Sequence, residues 1–154
     1  MKWIPQDIET FLNAKEYIDT AVIPLVPLSF EEDVKQSAEM SEFITLLTGY
    51  IERQFTGRIV LLPSFTYLTH KNMDFLLTEL TNWKSSVEQG GFKHIFYVTS
   101  DIGWKEYEDI LGPSLLWIPS IPLEKMEEMQ KWIIVESQGK QLLNLFSRKW
   151  RENE

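Results

Sequence analysis

The sequence predicts an α/β fold, a three-layer α/β/α sandwich built on a four-stranded parallel sheet. Three observations predict it: short apolar runs without polar alternation, apolar residues at helical spacing between those runs, and serine directly after most of them. Continuous apolar runs are typical of parallel strands whose two faces are both covered by helices. Strands that alternate with helices favour a Rossmann-like or flavodoxin-like arrangement, with further helices at both ends of the chain.

The four strands are expected within the apolar runs of residues 20–29, 57–64, 91–100 and 112–120. Pro24 lies inside the first run and cannot donate a backbone hydrogen bond. The first strand is therefore expected either to bulge at Pro24 or to begin later. Of the two strand orders that fit the pattern, we favour 2-1-3-4 over 3-2-1-4.

Five helices are expected around these strands. The first runs from Pro5 to about Ile18, since the first helical turn tolerates proline. Apolar spacing predicts the others over residues 40–55, 73–87, 104–111 and 123–150. The last of these is expected as one long helix or as two, with Gly139 as the break.

Length and composition favour one domain over residues 1–154 of a soluble, cytoplasmic protein. The net charge of −8 disfavours binding to nucleic acid or to anionic membranes, because both depend on basic side chains. Without cysteine the chain has no thiolate ligand or thiol nucleophile. Its opening residues lack the apolar core of a signal peptide, and no apolar run reaches the roughly 18 residues of a membrane span.

Polar side chains follow the predicted strands at the edge where α/β sheets bind ligands. The candidates for a small-ligand or hydrolytic site there are Ser29, Ser64, Thr66, His70, Ser100, Asp101 and Ser120. A serine after a strand is also a common helix N-cap, worth about 1 kcal/mol. Ser29 to Glu32 has the pattern of a capping box. Both roles, ligand binding and capping, are open for these side chains.

Several kinds of chemistry are disfavoured. The turn after the first strand has no glycine and contains Pro27, which disfavours a dinucleotide cofactor. His94 precedes the third strand and Ser100 follows it, so roughly 20 Å of strand separates this pair. Glu31, Glu32 and Asp33 point in different directions if they are helical, which disfavours a metal site. We expect neither a metal nor a cofactor, and enzymatic activity is left undecided.

Aromatic side chains form the second group of candidates. Trp104 and Tyr107 lie on a short acidic helix, and Phe146 and Trp150 lie on a basic amphipathic helix near the end of the chain. Such a surface can bind a partner protein, although an amphipathic helix also packs on its own sheet. The first functional hypothesis is thus a non-enzymatic interaction or regulatory domain. The second is a small-ligand-binding or hydrolytic domain that uses the strand ends.

Two opening segments, Met1 to Trp3 and Lys15 to Pro27, resemble the YpiF-like family of small proteins of Bacillus and related bacteria. The likeness is clearest over residues 1–30. The resemblance implies a cytoplasmic bacterial protein and supplies neither an activity nor a site residue. Family members are often encoded near genes of the menaquinol–cytochrome c reductase complex, which implies a link to the assembly or regulation of respiratory complexes.

Overall fold

A parallel sheet forms the centre of the fold. The computed structural model describes residues 1–152. The strands are β1 (Thr20–Leu28), β2 (Ile59–Leu61), β3 (Phe65–Leu68), β4 (His94–Thr99) and β5 (Leu115–Trp117). Their order is β2-β1-β4-β5, and β3 pairs with β1 beyond the end of β2. The α/β class and the favoured order are confirmed, since β4 and β5 are the third and fourth strands of the prediction.

Helices cover both faces of this sheet. They are α1 (Pro5–Asn13), α2 (Val34–Gln54), α3 (Met73–Gln89), α4 (Glu108–Leu111) and α5 (Glu128–Glu152), with 3-10 turns at Ile102–Tyr107 and Gly112–Ser114. The first helix is shorter than predicted because the chain turns after Ala14, and Ile18 is buried from that turn. No helix of residues 1–152 has both the length and the apolar character needed to cross a membrane.

The residues of β1 alternate between two cores. Val22 and Val26 face the core beneath α2 and α5, whereas Ala21 and Ile23 face the core beneath α1 and α3. All four side chains are buried. A strand with helices on both sides needs apolar residues at every position, which explains the unbroken apolar run in the sequence.

Pro24 lies within a continuous β1, so the expected bulge or later start was wrong. Even-numbered residues of β1 bond to the β2 side: Thr20 N donates to Arg58 O, and Val22 O accepts from Leu62 N. Pro24 therefore faces the gap between β2 and β3. Because proline cannot donate to a ladder, the break falls in the neighbouring edge strand, and the second predicted strand becomes two.

Helix α5 runs unbroken through Gly139, so the first of the two expected forms, one long helix, is confirmed and a break at Gly139 does not occur. A Cβ atom built at this position would lie 2.3 Å from Cδ1 of Tyr50, on α2. The ring of Tyr50 thus packs directly on the glycine backbone. Gly139 permits close approach of two helices rather than ending one of them.

We expect Gly139→Ala to lower the free energy of unfolding by up to about 2 kcal/mol. Alanine improves helix propensity by about 1 kcal/mol, but overpacking against the Tyr50 ring costs about 1–3 kcal/mol. Gly49→Ala is the matched control, since its Cβ would meet only the Arg53 side chain at 3.6 Å. In urea unfolding, the Gly49→Ala control should raise the free energy of unfolding. An equal increase in both variants would contradict the packing role of Gly139.

A polar cluster joins the end of α5 to the amino edge of the sheet. Arg58 Nε lies 3.0 Å from Asp19 Oδ1, and His94 Nε2 lies 3.8 Å from Asp19 Oδ2. Trp150 Nε1 donates to Thr20 Oγ1 at 2.8 Å, while the Arg58 guanidinium lies 4.2 Å from the Trp150 ring. Removing the Asp19 carboxylate would take this acceptor from both the Arg58 guanidinium and the Thr20 hydroxyl.

The buried histidine of this cluster should make stability depend on pH. Burial lowers the pKa of His94 below its ordinary value of 6.5, and the positive charge of Arg58 adds to this. Between about pH 7.5 and pH 5 the unfolded chain then binds more protons, so the free energy of unfolding falls as pH falls. The pKa of Asp19 is also lowered, and its contribution is lost only below its ordinary value of 3.8.

His94→Gln should reduce the decline in urea midpoint over this range. His70→Gln, which removes the exposed histidine, should leave the decline in urea midpoint as it is in the unmodified chain. Equal slopes for His94→Gln and the unmodified chain would show that His94 is not the titrating group.

Candidate functional site

A cleft of about 440 Å³ opens at the carboxyl edge of the sheet. The chain passes from β1 to β2 on one side of the sheet and crosses to β4 on the other, so the boundary between β1 and β4 is the topological switch point. Open α/β sheets bind ligands at this point. The polar residues that line the cleft are Asp33, Gln36, Ser37, Thr69, Ser100, Asp101 and Ser120.

Two serines of this cleft have buried hydroxyls without a partner. Ser100 follows β4 directly and is 5% exposed, and Ser120 follows β5. Within residues 1–152, neither Oγ atom makes a hydrogen bond. An unpaired buried hydroxyl costs about 1–3 kcal/mol, and most buried polar groups in folded proteins avoid that cost. Helix capping therefore does not explain these two side chains.

Ser29 has a local role, but not the predicted one. Its Oγ accepts from Glu31 N at 3.2 Å and donates to the Asp33 carboxylate. Because α2 begins only at Val34, the capping box from Ser29 to Glu32 does not form. Ser37, which the sequence analysis missed, is buried and donates to Pro27 O at 2.8 Å. No pattern distinguishes Ser37 from other polar residues of its helix.

Four predicted site residues do not line the cleft: Ser29, described above, and Ser64, Thr66 and His70. Ser64 and Thr66 are exposed and bond to each other at 2.7 Å, because the edge strand resumes and continues to Leu68. His70 is exposed in the turn after β3 and does not line the cleft. The cap of α3 is Asn72, a residue that the sequence analysis also missed.

Asp101 is held at the cleft by a network that begins in the core. Trp104 Nε1 donates to Tyr67 Oη at 2.7 Å, and Tyr67 Oη donates to Asp101 Oδ2 at 2.5 Å. Gly103 N donates to Asp101 Oδ1 at 2.9 Å, and Asp101 N donates to Thr99 Oγ1 at 3.0 Å. Burial, together with the Asp101 charge, raises the pKa of Tyr67, so this hydroxyl stays protonated and orients the carboxylate.

The aromatic candidates for partner binding are mostly core residues. Trp104 and Phe146 are 0% exposed and Trp150 is buried, so none of these three rings presents a face to a partner. Tyr107 is partly exposed and donates to Asp74 Oδ1 at 2.8 Å. The amphipathic stripe of α5 packs on its own sheet, which overturns the docking surface predicted on these residues.

The charge of the cleft limits what it can bind. Asp33 and Asp101 are its charged lining residues, and no lysine, arginine or histidine of residues 1–152 lines it. Elsewhere in the same range, no three histidine or acidic side chains converge as they do around a metal ion. A phosphate group would have to lose its water beside two carboxylates, whereas hydroxyl and ammonium groups would find acceptors.

We expect Ser100→Ala to leave the free energy of unfolding unchanged or to raise it by about 1 kcal/mol, because it removes an unpaired buried hydroxyl. Ser37→Ala is the matched control. It removes a buried hydroxyl that bonds both Pro27 O and Ser29 N, and should cost about 1–2 kcal/mol. Urea unfolding of both variants is the measurement. Equal destabilisation would mean that Ser100 has a structural partner.

The known proteins that resemble the chain are of unknown function. A family model described as "Protein of unknown function (DUF2487)" matches residues 9–150. The chain is 36% identical over 155 residues to "Uncharacterized protein YpiF" of Bacillus subtilis (strain 168), an alignment that covers 97% of this chain and 98% of the relative. No solved structure matches.

Proposed function

The chain belongs to the DUF2487 family of proteins of unknown function, as its opening residues predicted, and we propose that it is a non-enzymatic, cytoplasmic regulatory domain that binds a small neutral or cationic ligand. The ligand lies in the carboxyl-edge cleft, at the switch point between β1 and β4. The proposal depends on one observation. The buried hydroxyls of Ser100 and Ser120 lie at this cleft without a partner among the described residues.

The chemistry of the cleft defines the ligand class. A serine hydroxyl both donates and accepts, so Ser100 and Ser120 suit the hydroxyl or amide groups of a ligand. Asp101 and Asp33 supply negative charge and act only as acceptors when ionised. These features favour a polyol, an amino sugar or an amine over a nucleotide or another phosphate compound.

Binding is favoured over hydrolysis because, within residues 1–152, the hydroxyls of Ser100 and Ser120 have no base as a hydrogen-bond partner. His70 is exposed outside the cleft, and His94 lies at the amino end of β4. Neither Ser100 nor Ser120 bonds to a histidine in residues 1–152. Serine is a weak nucleophile without such a base.

An exposed apolar stripe supports the regulatory part of the proposal. Met129, Trp132 and Ile133 lie at helical spacing near the start of α5 and are 72%, 42% and 61% exposed. Exposed apolar groups that cluster on one face are typical of contact surfaces for other proteins. The resemblance links the family to respiratory complexes through gene neighbourhood, and in that setting a ligand-bound domain would act through such a contact.

A thermal-shift screen followed by calorimetry tests the ligand class. The probes are myo-inositol, glucosamine, putrescine and adenosine monophosphate, each added to the full chain. We expect at least one neutral or cationic probe to raise the melting temperature, because a ligand that binds only the folded chain stabilises it. Ser100→Ala and Ser120→Ala should each weaken that probe by about tenfold, the effect of losing one or two hydrogen bonds.

Ser64→Ala is the matched control, since this exposed serine lies outside the cleft and should leave affinity unchanged. Adenosine monophosphate as the best ligand, with its affinity lowered by Ser100→Ala, would refute the assigned class. No shift with any probe, or equal affinities for Ser100→Ala and Ser64→Ala, would refute the site.

A further inference from the structure

A second cleft, of about 330 Å³, lies between α3 and α5 beside the amino half of β4. It shares no lining residue with the carboxyl-edge cleft. Ile95, Ile110 and Leu111 supply apolar surface. The polar lining includes Lys84, Glu88, Lys93, Tyr97, Ser114 and Lys149.

Positive charge is concentrated here although the chain as a whole carries −8. Lys84, Lys93 and Lys149 face Glu88, the one carboxylate of the lining, whose Oε1 lies 3.9 Å from Lys84 Nζ. Lys149 Nζ also donates to Ser114 Oγ. Burial lowers the pKa of Lys149 and the charge of Lys84 adds to that effect, whereas the charge of Glu152 opposes it. Three ammonium groups thus lie around one cleft, where the oxygen atoms of an anion would find donors.

An unpaired hydroxyl lies among these charges. Tyr97 is 2% exposed, and its Oη atom makes no hydrogen bond within residues 1–152. Burial, with the Glu88 charge, raises the pKa of Tyr97 to about 12, so at neutral pH the group is a protonated donor. A neutral donor beside ammonium groups matches the oxygen atoms of an anion.

We propose that this cleft binds a phosphate monoester with a small apolar body. The phosphate accepts from the Tyr97 hydroxyl and from the lysine ammonium groups, and the body packs on Ile95 and Leu111. A phosphate monoester carries a charge of about −1.5 to −2 at neutral pH, which suits a lining that holds three lysines and one carboxylate. The site is independent of the carboxyl-edge cleft, and its ligand is of the opposite charge.

Calorimetric titration of the full chain with phenyl phosphate tests this assignment. Phenol has the same apolar ring but no phosphate group, and inorganic phosphate has no ring. These two compounds are the comparison probes. We expect phenyl phosphate to bind more tightly than either. Tyr97→Phe and Lys93→Met should each weaken it by at least about tenfold, since each removes a charge-assisted hydrogen bond.

Two variants separate loss of the site from loss of the fold. Tyr97→Phe removes a hydroxyl that bonds to nothing in the described chain, so its melting temperature should not fall. Lys71→Met, at an exposed lysine outside the cleft, should leave phenyl phosphate affinity unchanged. Ser100→Ala should also leave it unchanged, which distinguishes this site from the carboxyl-edge cleft.

Three results would overturn the proposal. The first is no binding of phenyl phosphate at millimolar concentration. The second is equal affinity for phenyl phosphate and phenol, or for phenyl phosphate and inorganic phosphate. The third is unchanged affinity in Tyr97→Phe and Lys93→Met.

Discussion

The parallel pairing of β1 with β4 is the constraint on which the rest of the fold depends. It joins six residue pairs, from Thr20 with His94 to Leu25 with Thr99. The pairing gives β1 a neighbour on each side, and every residue of that strand from Thr20 to Pro27 is buried. From β1 the chain moves to one side of the sheet to form β2 and later crosses to the other side to form β4. A cleft lies at this switch point, where β1 and β4 end. The split edge strand and the position of Ser100 both follow from this arrangement.

Much of the fold could be predicted from the sequence because its signals are local. Apolar runs located the strands, and their order was correctly favoured. What could not be predicted depends on distant partners. The gap opposite Pro24 lies in another strand, and the need for Gly139 comes from the ring of Tyr50 on a different helix. Ser100 was predicted at the strand end, but its lack of a partner depends on the packing around it.

The two clefts have charged lining residues of different sign. Asp33 and Asp101 line the carboxyl-edge cleft, whereas three lysines, Lys149 among them, line the cleft beside the amino half of β4. The net charge of −8 describes neither cleft, and it disfavoured only nucleic acid and anionic membranes as partners. Each cleft also includes a buried hydroxyl that has no hydrogen-bond partner within residues 1–152, Ser100 in one and Tyr97 in the other. Such groups lower stability unless a ligand satisfies them.

Chemical-shift mapping tests the carboxyl-edge site most directly. Backbone amide resonances of the chain would be followed while the neutral or cationic probe that binds best is added. We expect the largest changes after the ends of β1, β4 and β5, in residues 27–37, 99–103 and 117–120. Changes centred on α5, or spread evenly over the chain, would contradict a ligand site at the switch point.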